Sequence, residues 1–270
     1  MKNLGRFLSR GKTPTPGARP RLSVDIDDLA VYAVGDVHGC LDLLHALEAE
    51  IVRDAARIPG DKLIVMLGDY IDRGPASAQV IDHLIAPPPE GFERICLAGN
   101  HETAMLDFLE GRLERADWVR LGGDATLLSY GIDHARLQHL GNTARDDAMI
   151  RASVPDDHLA FLRGLPVLVE SARYVFVHAG IWPDQPIDAQ SDRDLTTMRG
   201  KFYAKANQLD RFVVHGHTPI TTPKLEGKRL DIDTGAYFSG RLTAVRIWRG
   251  TGRFLTGRSA VPTFNSEEAT

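Results

Sequence analysis

Five short segments of the sequence contain the side chains best suited to chemistry, and each segment follows an apolar run. A single Gly–Asp turn at the end of a strand is commonplace and carries little information alone. Because the strands of one sheet bring their loop ends to a common edge, we expect the five segments to converge. They are GDVHG with Asp36 and His38, GDYIDRG with Asp69, Asp72 and Arg73, GNHE with Asn100, His101 and Glu102, HAG with His178, and HGHT with His215 and His217.

The converged side chains would form a cluster of oxygen and nitrogen atoms without sulfur. Such a set suits divalent transition metals such as manganese, iron or zinc better than magnesium or calcium, which prefer oxygen ligands. Six protein ligands are too many for one catalytic metal with an open position, but they divide naturally between two ions. One carboxylate would then bridge both ions, and Asp69, which precedes a glycine turn, is the natural candidate.

The elements that must position these segments alternate between strand and helix. Apolar runs at residues 29–34, 62–67 and 94–98 predict strands, and helical spacing follows at 41–58, at 77–85 and from Glu102. The pattern predicts an α/β protein whose sheet is at least partly parallel. Residues 118–165 are predicted to be mostly helical. Further strands are predicted at 167–170, 174–178, 211–216, 229–233 and 241–248, which favours a mixed sheet or two packed sheets.

Composition limits the class of protein. The chain has 270 residues, 43% hydrophobic content and a formal net charge of −4. Residues 1–21 contain six basic side chains and no acid, so residues 22–270 have a net charge of −10. Because this charge is negative, residues 22–270 have no overall electrostatic attraction to nucleic acid. We predict a disordered basic arm at 1–21, a single domain at 22–258 and a flexible tail at 259–270.

Two cysteines and the absence of a secretory signal or a membrane-length apolar run indicate a cytoplasmic protein with no membrane span. The sequence leaves the oligomeric state open.

The five segments, in this order between about Val31 and Trp248, resemble the phosphoprotein phosphatase branch of the calcineurin-like metallophosphoesterases, in its bacterial form. The resemblance implies a four-layer α/β fold, in which helices flank two mixed β-sheets, with a dinuclear metal centre over the sheet edges. By motif it implies that Asp36 and His38 bind the first metal, that Asp69 bridges both ions, and that Asn100, His178 and His217 bind the second.

The resemblance also implies roles in handling the substrate. His101 matches the general acid of the family and Asp72 matches the carboxylate that orients it. Arg73 matches a phosphate-binding guanidinium, and Asn100 is expected to contact phosphate as well. The segment DLTTMRGKF resembles a bacterial segment in which the arginine contacts phosphate, which indicates Arg199.

The implied reaction is hydrolysis of a phosphomonoester by direct attack of a metal-bridging hydroxide, with two divalent ions, manganese being favoured over iron or zinc. Our main interpretation is a serine/threonine protein phosphatase that acts on a phosphorylated protein or a small phosphoester. The alternative is a diadenosine tetraphosphate hydrolase, which commonly lacks the equivalent of Asp72 and has Asp in place of Glu102. However, HAG and the DTG at Asp233 also occur in those hydrolases. A non-catalytic binding protein on the same fold is a second alternative, but it would predict gaps among the ligands.

Overall fold

The computed structural model describes residues 8–10, 18–140 and 143–258, and these residues build two mixed β-sheets. The strands are β1 Leu8–Arg10, β2 Arg21–Val24, β3 Ala30–Val34, β4 Lys62–Met66, β5 Phe92–Cys96, β6 Leu168–Glu170, β7 Tyr174–Val177, β8 Phe212–His215, β9 Lys224–Glu226, β10 Arg229–Asp231, β11 Arg241–Trp248 and β12 Thr251–Arg258. The order is β1-β2-β6-β7-β8-β10-β9 in the seven-stranded sheet and β12-β11-β3-β4-β5 in the five-stranded sheet.

The helices connect and cover these strands. They are α1 Leu41–Ala55, α2 Ser77–Ile85, α3 Asn100–Leu109, α4 Arg115–Trp118, α5 Asp124–Ser129, α6 His134–Leu140, α7 Thr143–Ser153, α8 Asp156–Gly164, α9 Asp192–Thr197, α10 Gly200–Ala204 and α11 Ala236–Ser239. A π-helical turn at Val119–Gly123 joins α4 to α5.

Alternation of side chains along the strands explains the layers. In β3, Val31 and Ala33 pack between the two sheets, together with Phe176 and Val214 of the other sheet. The intervening residues of each strand point to the opposite face, where they pack against helices. With hydrophobic side chains on both faces, the central strands need a cover on each side, and the result is a helix–sheet–sheet–helix sandwich. The predicted α/β class, with helices flanking two mixed sheets, is confirmed.

Parallel pairing brings the site segments to one edge. β3, β4 and β5 are parallel and in register, so that GDVHG, GDYIDRG and GNHE leave the sheet side by side. In the second sheet, β7 and β8 are also parallel, and HAG and HGHT follow them. The convergence expected from the sequence therefore comes from the strand register of both sheets.

The structure differs from the predicted N-terminal arm at residues 8–10 and 18–21. β1 pairs antiparallel with β2 at the edge of the larger sheet. The backbone N–H of Arg19 donates to Asp192 at 2.7 Å, and the guanidinium of Arg21 lies 3.0 Å from the same carboxylate. The rest of the arm and the predicted tail at 259–270 lie outside the described residues, and the domain limits stay a prediction.

Among the described residues, no helix combines the length and the apolar composition needed to cross a membrane.

Candidate dinuclear metal site

Unusual backbone geometry marks the site before any side chain is considered. In the described part of the chain, six non-glycine residues have positive φ, and five of them are predicted site residues. Side chains rarely adopt this conformation because of steric strain, so it persists only where surrounding contacts enforce it. The five are His38, Asp69, Asp72, Arg73 and His217.

Asp69 lies at the junction of two groups of potential metal ligands. One group contains His38 and His101, the other contains His178 and His217, and the ligand atoms within each group lie within 4.8 Å of one another. Oδ2 of Asp69 is 3.7 Å from Nε2 of His38 and 3.3 Å from Nε2 of His178. Asp69 is thus the described residue common to both groups, as a bridging ligand must be.

The remaining predicted ligands complete the two groups. Oδ1 of Asn100 lies 3.1 Å from Nε2 of His178, and Nδ1 of His217 lies 3.2 Å from the same nitrogen. The backbone N–H of His217 donates to Oδ2 of Asp36 at 3.0 Å, which connects HGHT to GDVHG across the two sheets. All six predicted ligands therefore lie together.

Two observations indicate that the donor set fits metal cations. Oδ1 of Asp36 is buried and has no hydrogen-bond partner among the described residues, although an unpaired buried carboxylate oxygen is costly. Nδ1 of His38 donates to the carbonyl of Ile71 at 2.9 Å, and Nδ1 of His178 faces the carbonyl of Leu67 at 3.0 Å. Anchoring of Nδ1 in this way directs Nε2 of each ring towards the cluster, as a hydrogen-bond partner on the other ring nitrogen does for metal-binding histidines.

The pKa shifts of three predicted ligands are those expected where a site receives positive charge. Burial lowers the pKa of both His38 and His217 to about 3, which keeps the imidazoles in the neutral form that binds metals. Burial, reinforced by Asp233 and Asp69, raises the pKa of Asp36 well above its usual range. A cation between these carboxylates would relieve both the burial cost and the repulsion.

His101 and Asp72 form a buried pair beside the ligand cluster. Nδ1 of His101 lies 2.7 Å from Oδ2 of Asp72. Burial alone would lower the pKa of His101, but the carboxylates of Asp69 and Asp72 outweigh it and the pKa is raised. A histidine held in this way can carry a proton on Nε2, as a general acid requires.

Two guanidinium groups flank the cluster on separate elements. Nη1 of Arg73 donates to Nε2 of His38 at 3.2 Å, and Nε of Arg199 donates to Nε2 of His217 at 2.9 Å. Both arginines are exposed whereas the histidines are buried. Phosphate oxygens that approached the cluster could thus reach both guanidiniums, which are suited to bidentate contacts.

Sequence reasoning missed the positioning roles of Glu102 and Trp118. The buried carboxylate of Glu102 accepts the backbone N–H groups of Asp69 at 2.9 Å, Tyr70 at 2.7 Å and Gly99 at 2.8 Å, and so holds the GDYIDRG turn against GNHE. The indole N–H of Trp118 lies 3.2 and 3.1 Å from the two oxygens of Asp72. The only sequence signal for Glu102 is its place in GNHE, and Trp118 is indistinguishable from a core aromatic.

Asp72 receives further support from the same helical region. Oγ1 of Thr126 donates to Oδ1 of Asp72 at 2.7 Å.

Asp233, to which the sequence analysis gave no role beyond its place in DTG, has a buried carboxylate. Burial raises the pKa of Asp233 to about 6. Its Oδ1 accepts the N–H of Gly235 at 2.8 Å.

His215, which the family pattern leaves outside the ligand set, has a different environment. Its Nδ1 donates to the carbonyl of Gly216 at 2.9 Å, and its Nε2 accepts from buried Arg229 at 3.1 Å. The guanidinium of Arg229 also pairs with Asp231 at 3.2 Å and lies over the ring of Tyr203. With both ring nitrogens occupied, His215 supports the loop rather than the cluster.

Comparison with known proteins identifies the family. The family model for calcineurin-like phosphoesterases matches residues 29–246, and the chain belongs to this family. A bis(5'-nucleosyl)-tetraphosphatase PrpE [asymmetrical] of Halalkalibacterium halodurans is 28% identical over 79% of this chain and 88% of the relative. A protein of the same name from Geobacillus thermodenitrificans is 26% identical over 79% of this chain and 88% of its own length.

Solved structures support the fold. A crystal structure provisionally assigned to a diadenosine tetraphosphatase has a TM-score of 0.59 and 21% identity, and the match covers 87% of this chain and 96% of that one. A protein serine/threonine phosphatase from Saccharomyces cerevisiae has a TM-score of 0.50 and 14% identity, over 88% of this chain and 82% of its own. The metallophosphoesterase class expected from the motifs is confirmed. The phosphoprotein phosphatase branch is not, because the two sequence relatives named above are bis(5'-nucleosyl)-tetraphosphatases.

Proposed function

We propose that the protein is a metal-dependent hydrolase of dinucleoside polyphosphates such as diadenosine tetraphosphate. The observation that carries the chemistry is the pair of ligand groups that share Asp69, each with an arginine on one of its histidines. The substrate class is supported by the PrpE relatives, which cover most of this chain. This choice reverses the preference drawn from Asp72 and Glu102.

The positions of the donor atoms support a division of the metal-binding residues between two ions. Asp36 and His38 would hold one divalent ion, Asn100, His178 and His217 the other, and Asp69 both. Two such ions lower the pKa of a bound water and offset the negative charge of phosphate oxygens. The ligand set suits manganese, and iron and zinc fit the same chemistry.

The chain's own side chains would then do the remaining work. Arg73 and Arg199 would orient the phosphate chain and offset charge that grows on its oxygens in the transition state. Asn100, with Oδ1 directed to His178, would offer its amide N–H₂ to a phosphate oxygen. His101, oriented by Asp72, would protonate the leaving oxygen. Hydrolysis adds water across one P–O–P link, and unequal cleavage of a tetraphosphate gives a nucleoside triphosphate and a nucleoside monophosphate.

A serine/threonine phosphatase is the second candidate, and the 2.7 Å contact between His101 and Asp72 is the observation that favours it. A serine or threonine alkoxide is a much more basic leaving group than a phosphate. Its departure therefore depends more strongly on a general acid.

A side-by-side assay tests the two candidates. Metal-stripped protein receives manganese, and kcat/KM is measured for diadenosine tetraphosphate, a phosphothreonine peptide and p-nitrophenyl phosphate. We expect the dinucleotide to have the highest kcat/KM and chromatography to show ATP and AMP as products. A higher kcat/KM for the peptide would reverse the proposal in favour of the phosphatase, and two ADP molecules would contradict unequal cleavage.

A further inference from the structure

Two adjacent aromatic side chains on α11 are exposed beside the candidate site. Tyr237 is 40% exposed and Phe238 is 63% exposed. Their ring centroids lie 4.9 Å apart at an interplanar angle of 84°. Two neighbouring exposed rings are unusual on a soluble surface and often mark a binding site.

The pair is continuous with the phosphate-binding side of the cluster. The ring of Tyr237 lies 5.3 Å from the ring of His38, and the guanidinium carbon of Arg73 lies 4.8 Å from the centre of the Tyr237 ring. Phe238 packs edge-to-face against Tyr237 and is the more exposed of the two rings. A phosphate chain held by Arg73 would therefore have an aromatic surface next to it.

The loop that carries the rings is ordered by its own contacts. Gly235 has a φ of +65°, and a Cβ there would lie 2.2 Å from the ring of Phe238, so that this ring packs directly on the glycine backbone. The hydroxyl of Ser239 donates to the carbonyl of Thr234 at 2.6 Å. Rings that are fixed before binding lose little conformational entropy when a ligand stacks on them.

We propose that Tyr237 and Phe238 form a stacking platform for a nucleobase of the dinucleoside polyphosphate. This inference rests on the proposed function and adds the part of the substrate that the metal and arginine contacts do not recognise. Aromatic stacking accepts any base, since every base has a π-face. We therefore expect little discrimination between adenine and guanine dinucleotides.

The test compares ligands with and without a base, using hydrolysis of p-nitrophenyl phosphate as the reporter. Inhibition constants are measured for ATP and for inorganic tripolyphosphate, which presents the same phosphate chain without a nucleoside. For Phe238→Leu we expect ATP inhibition to weaken about tenfold and tripolyphosphate inhibition to stay unchanged. Equal changes for both inhibitors, or no change for either, would overturn the platform.

Conservative and control variants isolate the role of the rings. Tyr237→Phe keeps the ring and is expected to bind ATP like the wild type, whereas Tyr237→Leu is expected to lose affinity as Phe238→Leu does. Phe254→Leu removes a ring that is 46% exposed on β12 and should leave both inhibition constants unchanged. If wild-type protein fails to cleave diadenosine tetraphosphate but ATP inhibition still depends on Phe238, the proposed function is wrong and the platform stands.

Discussion

The ligand cluster and the substrate side of the site are built in different ways. The predicted ligands Asp36, His38, Asp69, His178 and His217 are at most 8% exposed and follow parallel strands of two sheets. The proposed substrate side consists of Arg199 on the loop before α10 and of α11, whose Tyr237 and Phe238 are 40% and 63% exposed. The segment Trp118–Thr126 supports this side through contacts with Asp72 and Arg73. The first region is fixed by strand register, whereas the second depends on contacts between distant segments.

This difference predicts how each region should respond to change. A substitution in the ligand cluster should remove activity towards every phosphoester, because all of them need the metals. A substitution on the substrate side should change activity by an amount that depends on the leaving group or on the nucleoside.

The largest effect is expected for Asp69→Asn, which removes the carboxylate shared by both ligand groups. Since metal ions supply several kcal/mol of transition-state stabilisation, kcat/KM should fall by on the order of 10³-fold or more for all substrates. Metal content, measured by mass spectrometry after gel filtration, should fall in parallel. Equal metal content and activity in the variant and the wild type would contradict the prediction that Asp69 is the ligand shared by both metal ions.

Asp54→Asn is a matched control for that variant. Asp54 is also a shielded carboxylate, but it pairs with Arg246 at 3.0 Å and accepts the hydroxyl of Tyr32 at 2.9 Å, away from the cluster. The control should lower the free energy of unfolding and leave the metal content unchanged.

His101→Asn should have the next largest effect, and its size should depend on the leaving group. Loss of a general acid typically costs ~10²–10⁴-fold. We expect that range for a phosphothreonine peptide, whose leaving alkoxide is strongly basic, and a clearly smaller loss for diadenosine tetraphosphate. Steady-state kinetics on the two substrates measures the difference.

His158→Asn serves as the control for that comparison. His158 is a buried histidine with Tyr130 at 2.8 Å and Asp82 at 2.9 Å, outside the site. The His158→Asn variant should change kcat/KM by the same factor for both substrates. If His101→Asn also lowered both rates by the same factor, the assignment of His101 as the general acid would be wrong.

Trp118→Phe should have a smaller effect that acts through Asp72. The change keeps an aromatic ring in the core but removes the indole N–H that lies 3.2 and 3.1 Å from the carboxylate. A hydrogen bond to a charged group contributes ~1.5–3 kcal/mol, so a loss of kcat of about tenfold to a hundredfold is expected on the phosphopeptide. In a His101→Asn background, Trp118→Phe should lower kcat on the phosphopeptide very little. Full additivity of the two losses would show that Trp118 does not act through the acid.

The convergence of the predicted ligands could be foreseen from the sequence for a physical reason. Each predicted ligand lies within four residues of the end of a strand, so that strand alternation and parallel pairing suffice to bring the six together. The βα pattern up to α3 also agrees with the structure within a few residues. Side-chain roles in Trp118–Thr126 depend on contacts with Asp72, 46 and 54 positions away in the chain. No local period or spacing encodes such contacts.

Two of the strands that the sequence missed, β9 and β12, have a related explanation. β9 has three residues and mostly exposed side chains, and β12 is an edge strand with largely exposed residues apart from Leu255 and Gly257. Neither contains the continuous apolar run that marks β3 or β4. Their positions are set by pairing with β10 and β11.

The smallest effect is expected at Gly122, where the two regions of the site meet. Gly122 has a φ of +106°, its carbonyl accepts the N–H of Arg73 at 3.0 Å, and a Cβ would lie 2.8 Å from Cγ of Arg73. Gly131 has a φ of +80° and open space around it. Both Gly→Ala variants should lose about 1 kcal/mol of stability from left-handed strain. Gly122→Ala should in addition raise KM, because the new methyl group displaces the arginine.

Thermal unfolding and KM for diadenosine tetraphosphate, measured on both variants, separate the two contributions. An increase in KM for Gly122→Ala alone, with similar losses of stability in the two variants, would show that the helical segment positions the phosphate-binding arginine of the sheet-edge turn. An equal KM in both variants would mean that Arg73 adjusts freely, and that the two regions act independently in substrate binding.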